Sequence, residues 1–152
     1  MKIALLSFAP ESGSDSLGEM LLSRLQAAGA EVVKESLRPD LGRLKGLLLA
    51  ALTDPRFDSI LVIANLPALN NQALVEQVQS ILEPLPTWQP LVNQILWPSR
   101  GSATLWNRSC LGRSHRRLLA AFTGETADLE LVLSQLFVPE LDNLVSWAQS
   151  KG

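Results

Sequence analysis

Ser59-Ile60-Leu61-Val62-Ile63-Ala64 is six residues of almost unbroken apolar character, set between the breaker Asp54-Pro55 and the polar stretch that opens at Asn65. A run of this length, rich in β-branched side chains, reads as a strand buried on both faces, which is the signature of a parallel sheet covered by helices. Upstream, Leu41–Thr53 is apolar on most of its circumference and reads as a helix, with Asp40 placed to cap it after Pro39. Before that, Glu31–Leu37 reads as a strand. Leu17, Met20, Leu21 and Leu25 share one face of a helix that Gly29 closes, and Ile3–Phe8 is a first buried strand.

Downstream, Asn65–Asn71 is expected to be a loop, and Leu74, Val78, Ile81 and Leu82 give the face of a third helix. Pro84, Pro86 and Pro90 are expected to break the chain, with further helical turns over Leu91–Trp97 and Ser102–Leu111. Leu118–Phe122 reads as a fourth strand, Thr123-Gly124 as a turn, Thr126–Phe137 as a helix, and Glu140–Gln149 as a last helix after Pro139. Alternating strands and helices with short connections predict an α/β fold, a three-layer domain over 1–152 with a mainly parallel sheet.

The 152 residues are 47% hydrophobic with a net charge of −2, and the mean hydropathy is +0.16. This balance speaks against nucleic acid or an anionic membrane as partner, and its apolar excess points to subunit interfaces. No apolar stretch approaches a membrane span, and the lone Cys110 suits a reducing compartment, so a cytoplasmic protein is expected. Cys110 and the single His115 offer no zinc constellation and no metal site, and their pairing as nucleophile and base reads as an accident of spacing.

In an open parallel sheet, ligands bind beyond the carboxyl ends of the strands. The first such loop, Glu11-Ser12-Gly13-Ser14-Asp15, precedes a helix and is either an anion site or a plain loop capped by Asp15 or Ser14. The third, Asn65–Asn71, has no glycine and carries Pro67, so it is a poor cradle for phosphate through main-chain N–H groups. Arg108, Arg113, His115, Arg116 and Arg117 form a basic cluster that is either an anion site or a solvated turn.

The whole chain resembles the molybdopterin adenylyltransferase family, the MogA/MoaB group. An Asp-x-Ser-Gly-like motif stands as Asp15-Ser16-Leu17-Gly18, an Ala-Gly-x-Glu-Val turn as Ala28-Gly29-Ala30-Glu31-Val32, and a Val-Pro-Asp step as Arg38-Pro39-Asp40. The Asp before the third strand stands as Asp58. A Gly-[Thr/Ser]-x-x-x-x-Ser-Arg-x-x-x-Gly segment is matched by Gly101, Ser102, Arg108 and Gly112, and a terminal Leu-Pro-Glu-Leu by Val138-Pro139-Glu140-Leu141.

The resemblance implies a molybdopterin-binding fold, a trimer, and molybdopterin and Mg-ATP as ligands. It also locates departures. The family's Thr-Gly-Gly-Thr-Gly phosphate loop is matched by Ile63-Ala64-Asn65-Leu66-Pro67, and the Arg-Asp pair linked to magnesium by Asn71-Gln72. Of a Thr-Pro-Glu motif only Glu76 stays. Of a Pro-Gly-Ser-Pro turn only Gly124 stays, and Glu125 adds negative charge there. Each lost charge-assisted hydrogen bond would weaken phosphate binding by about 1.5–3 kcal/mol.

Three readings follow. The chain is a molybdenum cofactor lineage protein that binds a pterin or nucleotide with weak or no adenylyl transfer, using Ser12, Gly13, Asp15, Arg108 and Gly124. It is instead a pseudoenzyme, an oligomeric scaffold whose old pocket is filled by Leu66, Pro67 and Leu69. The third is a different enzyme using Asp15, Asp40, Glu76 and Glu125 as acids or bases.

Overall fold

The structure is a computed structural model that describes residues 1–8, 15–38, 41–66, 68–101 and 109–150. The strands are β1 (Lys2–Phe8), β2 (Glu31–Leu37), β3 (Ser59–Ala64), β4 (Glu83–Pro84), β5 (Ser109–Ser114) and β6 (Arg117–Thr123). The helices are α1 (Ser16–Ala27), α2 (Leu44–Thr53), α3 (Ala68–Gln79), α4 (Trp88–Arg100), α5 (Thr126–Val132) and α6 (Val138–Gln149). The sheet order is β2-β1-β3-β6-β5-β4, with the first four strands parallel and β5 and β4 antiparallel.

β3 lies in the interior of the sheet, and all six of its residues are buried. Side chains alternate across a strand, so they divide into two cores. Ile3, Leu5, Leu61, Ile63, Leu118, Ala120 and Phe122 pack under α1, α4, α5 and α6. Ala4, Leu6, Ile60, Val62, Leu119 and Ala121 pack under α2 and α3. In the first core Trp88, Phe122 and Phe137 meet edge to face, with centroids 4.9–6.3 Å apart, the arrangement the ring quadrupole favours. β2, at the sheet edge, alternates half-buried and exposed instead.

Several expectations are corrected. The predicted loop over 65–71 ends early, because α3 begins at Ala68. Leu41–Thr53 opens as a 3₁₀ turn over Leu41–Arg43 and becomes α-helical only at Leu44. Pro90 does not break the chain: it falls in the first turn of α4, where a missing N–H costs nothing. Helical turns over Ser102–Leu111 are wrong at their end, since Ser109–Leu111 is strand, and 102–108 lie outside the described residues. The strand at Leu118–Phe122 is the sixth, since two short antiparallel strands precede it. Pro139 does not separate two helices either. A single π turn over Leu133–Phe137 joins α5 to α6 and absorbs the proline. Asp40 lies outside the described residues.

β5 and β6 form a two-residue hairpin in which His115 (φ 53°) and Arg116 (φ 63°) both adopt the left-handed region. Such a turn favours Asn-Gly, because a side chain there costs free energy. The double variant His115→Asn, Arg116→Gly is therefore expected to raise stability by about 1 kcal/mol. A lowered urea midpoint would show that the Arg116 contact with the Gln149 carbonyl (2.8 Å) outweighs the turn.

Candidate functional site

β1 has β2 on one side and β3 on the other, so the chain reverses direction of travel across the sheet at β1, and the ends of β1 and β3 at Phe8 and Ala64 mark the place where such a sheet takes a ligand. Asp15, the next described residue after β1, is the N-cap of α1. Its Oδ1 accepts the Gly18 N–H (3.1 Å) and the Ser7 hydroxyl (2.7 Å). Its Oδ2 accepts the Ser36 hydroxyl (3.1 Å) and lies 2.7 Å from Lys34 Nζ. Lys34 Nζ also reaches Glu19 Oε1 at 2.9 Å and Ser36 Oγ at 3.1 Å.

The register explains the convergence. Ser7 is paired with Ser36 across β1 and β2, and Lys34 is two residues earlier, so all three side chains point to the α1 face. Gly18 is required for the same reason: a Cβ there would run into the Asp15 carboxylate and the Ser7 hydroxyl. Burial opposes the Asp15 charge, but Lys34, Ser7, the Gly18 amide and Ser36 together hold its carboxyl below the ordinary value of 3.8. Lys34 is raised in turn: burial works against it, and Asp15 and Glu19 overcome that. Asp15 is thus a fixed anion with an ammonium against it, which suits a structural anchor and not a proton acceptor.

At the end of β3 the Leu66 N–H donates to Asn71 Oδ1 (3.0 Å), and both residues are buried. Asn71 reaches back from the first turn of α3 to the main-chain donor of a residue that precedes the helix. Its replacement by alanine is expected to cost about 1.5 kcal/mol, because the buried amide would lose its acceptor. Hydrogen exchange at Leu66 checks it, and an unchanged rate would refute the assignment. Leu66 packs in the core under α2 and α3, as expected of a filled turn, whereas Leu69 is 80% exposed and fills nothing. Asn65 is exposed, and Gln72 donates to the exposed Glu76 (3.1 Å) along α3, so neither Gln72 nor Glu76 joins Asp15.

At the end of β6 the Gly124 N–H donates to the Ala64 carbonyl (3.3 Å), and Gly124 has a φ of 135° that only glycine tolerates well. Glu125 does not add bare charge at the strand ends as expected. Arg100 Nη2 sits 2.6 Å from it, and Arg100 Nε is 2.7 Å from Asp128, so the guanidinium joins α4 to the start of α5. Ser12, Gly13 and Arg108 lie outside the described residues.

Four of the five residues of the basic cluster are described, and they stay together. Arg113, His115, Arg116 and Arg117 surround the β5–β6 hairpin at the opposite end of the sheet from Asp15, roughly 20 Å away along a seven-residue strand. Arg113 pairs with Glu83 (2.8 Å) and stacks on Trp147. Arg113 and Arg116 donate to the Trp147, Gln149 and Ser150 carbonyls that end α6, the role cations fill at helix C-termini. Arg117 donates to the Phe57 carbonyl (2.9 Å). Cys110 is buried at the far end of β5 from His115, and burial pushes its thiol up to about 12, which leaves no nucleophilic pair.

No protein-family model and no curated protein matches this chain. Solved structures do. A molybdenum cofactor biosynthesis protein B superposes with a TM-score of 0.84 at 18% identity, covering 99% of this chain and 96% of its own. MoaB from Thermus thermophilus, a molybdopterin biosynthesis enzyme, gives 0.80 at 16% identity over 99% of this chain and 97% of its own. The tungsten cofactor synthesizing protein MoaB from Pyrococcus furiosus gives 0.75 at 15% identity over 98% and 97%. The fold is that of the MoaB and MogA proteins.

Within the MoaB/MogA fold, the magnesium that the resemblance implies can be tested against the residues present. A small hard cation selects anionic oxygen. The matched positions hold Asn71 and Gln72, and Asn71 Oδ1 already accepts a main-chain N–H. Among the described carboxylates at the strand ends, Asp15 has Lys34 against Oδ2 and two donors on Oδ1. These residues do not fit the ion. Sequence reading missed Ser7, Glu19, Lys34 and Ser36; the signal was there in Ser7, a polar residue inside an apolar strand, and in Lys34 and Ser36 at period two.

Proposed function

We propose that this chain is a protein of the molybdenum cofactor lineage in which adenylyl transfer is weak or lost. The observation that carries the reading is the pair Asn71-Gln72. Where the resemblance puts an Arg-Asp pair whose carboxylate is linked to magnesium, Gln72 is a neutral amide hydrogen-bonded to Glu76 and Asn71 turns inward to hold the Leu66 N–H. Beside it, Leu66 occupies core space where a glycine-lined turn would leave room for phosphate. Mixing the protein with molybdopterin and Mg-ATP is expected to release no pyrophosphate above background. Adenylylated product overturns the reading, whereas micromolar heat with either ligand in calorimetry rejects the alternative, a scaffold that no longer binds pterin.

The alternative is a cytoplasmic homo-oligomer, a trimer by the resemblance, that acts as an interaction scaffold. Its support is the exposure of large apolar side chains, Leu69 (80%) and Trp97 (56%). Among the described residues no helix is long and apolar enough to cross a membrane. Light scattering is expected to give a mass near three chains at micromolar concentration; a monomer rejects the assembly.

A further inference from the structure

A concave site lies away from the strand ends that carry Asp15. β4 is only two residues long; after the Leu85 N–H donates to the Leu111 carbonyl (3.0 Å), Pro86 turns the chain into α4. The outer edge of β5 beyond Leu111 is therefore uncovered by β4, and a cavity of about 360 Å³ opens there between α3 and α4. Its volume is in the range of small-molecule sites. Its apolar lining includes Val75, Leu82, Leu85 and Trp88.

Its polar groups are neutral and oriented. Gln89 Nε2 donates to Asn93 Oδ1 at 2.8 Å. That bond leaves Gln89 Oε1 as an acceptor and Asn93 Nδ2 as a donor, side by side. Gln79, also in the lining, makes no side-chain hydrogen bond among the described residues. The buried Ser109 hydroxyl accepts the Trp88 indole N–H at 3.4 Å and keeps its own proton to donate. Cys110 lines the cavity as an uncharged thiol. None of the described lining residues carries charge.

We infer that this cavity binds a small, planar, uncharged ligand with an amide or lactam edge, read by the acceptor and donor of Gln89 and Asn93 with Trp88 against its apolar part. A carboxylate or phosphate entering it would lose hydration and meet no cation among the described lining residues, which costs far more than neutral hydrogen bonds return. The inference is independent of the strand-end loops, and its probes contain neither pterin nor phosphate, so its outcome does not depend on adenylyl transfer.

The test is titration of the ¹⁵N-labelled full chain with nicotinamide and, separately, nicotinate, which share a ring and differ in amide against carboxylate. Nicotinamide is expected to give saturable shifts at the Gln79, Gln89 and Asn93 carboxamides and at the Trp88 indole N–H, with nicotinate binding at least tenfold more weakly. Asn93→Leu is expected to weaken nicotinamide at least tenfold. Gln89→Leu, at a half-buried position, serves the same purpose should Asn93→Leu fail to fold. No saturable shift with nicotinamide, equal binding of nicotinate, or shifts mapping elsewhere overturns the inference.

Discussion

Replacing Asp15 by asparagine is expected to lower stability by about 2–3 kcal/mol at neutral pH, because a helix cap and a partly buried ion pair are weakened together. Asn can still cap α1, so the larger share comes from Lys34, whose side chain is 13% exposed and would keep only the Glu19 carboxylate, itself 64% exposed. The pH dependence separates this from a packing defect. The folded-state value of Asp15 is held below 3.8, so its contribution is fully present above the unfolded value and is lost as pH falls through the folded one. The gap in urea midpoint between wild type and Asp15→Asn is therefore expected to be widest above about pH 4 and to close in stronger acid. A gap that stays constant down to about pH 2 would mean that the carboxylate charge contributes nothing.

Gly112→Ala is the second large effect. A Cβ on Gly112 would collide with the backbone carbonyl of Glu83 in the paired strand β4, and with Leu82 Cδ1. A side chain can rotate away, but a backbone carbonyl moves only if β4 moves. Overpacking of this kind costs about 1–3 kcal/mol, and the upper end is expected here. Displacing β4 also removes the Arg113–Glu83 pair and the Leu85–Leu111 hydrogen bond, so the far edge of the sheet should exchange its amides faster than β1 and β3 do. Unchanged stability with unchanged exchange at Leu85 would show that β4 has room to shift. The same geometry gives a physical reason for the glycine at the end of the segment that resembles the MogA/MoaB pattern: it lets a second strand lie against β5.

The resemblance and the apolar pattern together pointed to the strand ends but not to what meets there. Asp15 was legible because acid before a helix start has one common use, and the structure makes it the N-cap. Its partners were not, because Ser7, Lys34 and Ser36 come from two strands whose register is set by tertiary pairing. Glu125 shows the reverse error: read alone it is a charge beside a glycine turn, but Arg100, 25 residues away in sequence, neutralises it. The arginines around the hairpin looked like an anion site, yet an antiparallel strand carries Arg113 and its neighbours to the end of the sheet opposite Asp15.

Local pattern alone determined the strands β1, β2, β3 and β6 and the amphipathic helices between them, because burial on one face or two leaves a period in the chain that needs no partner to be seen. The tertiary structure decided everything that depends on what lies opposite. It decided the antiparallel addition of β5 and β4, the fusion of α5 to α6 through a π turn, the pairing of each charged side chain, and the cavity left where β4 stops short. Those are matters of distance between residues far apart in sequence, and hydrophobic periodicity carries no information about distance.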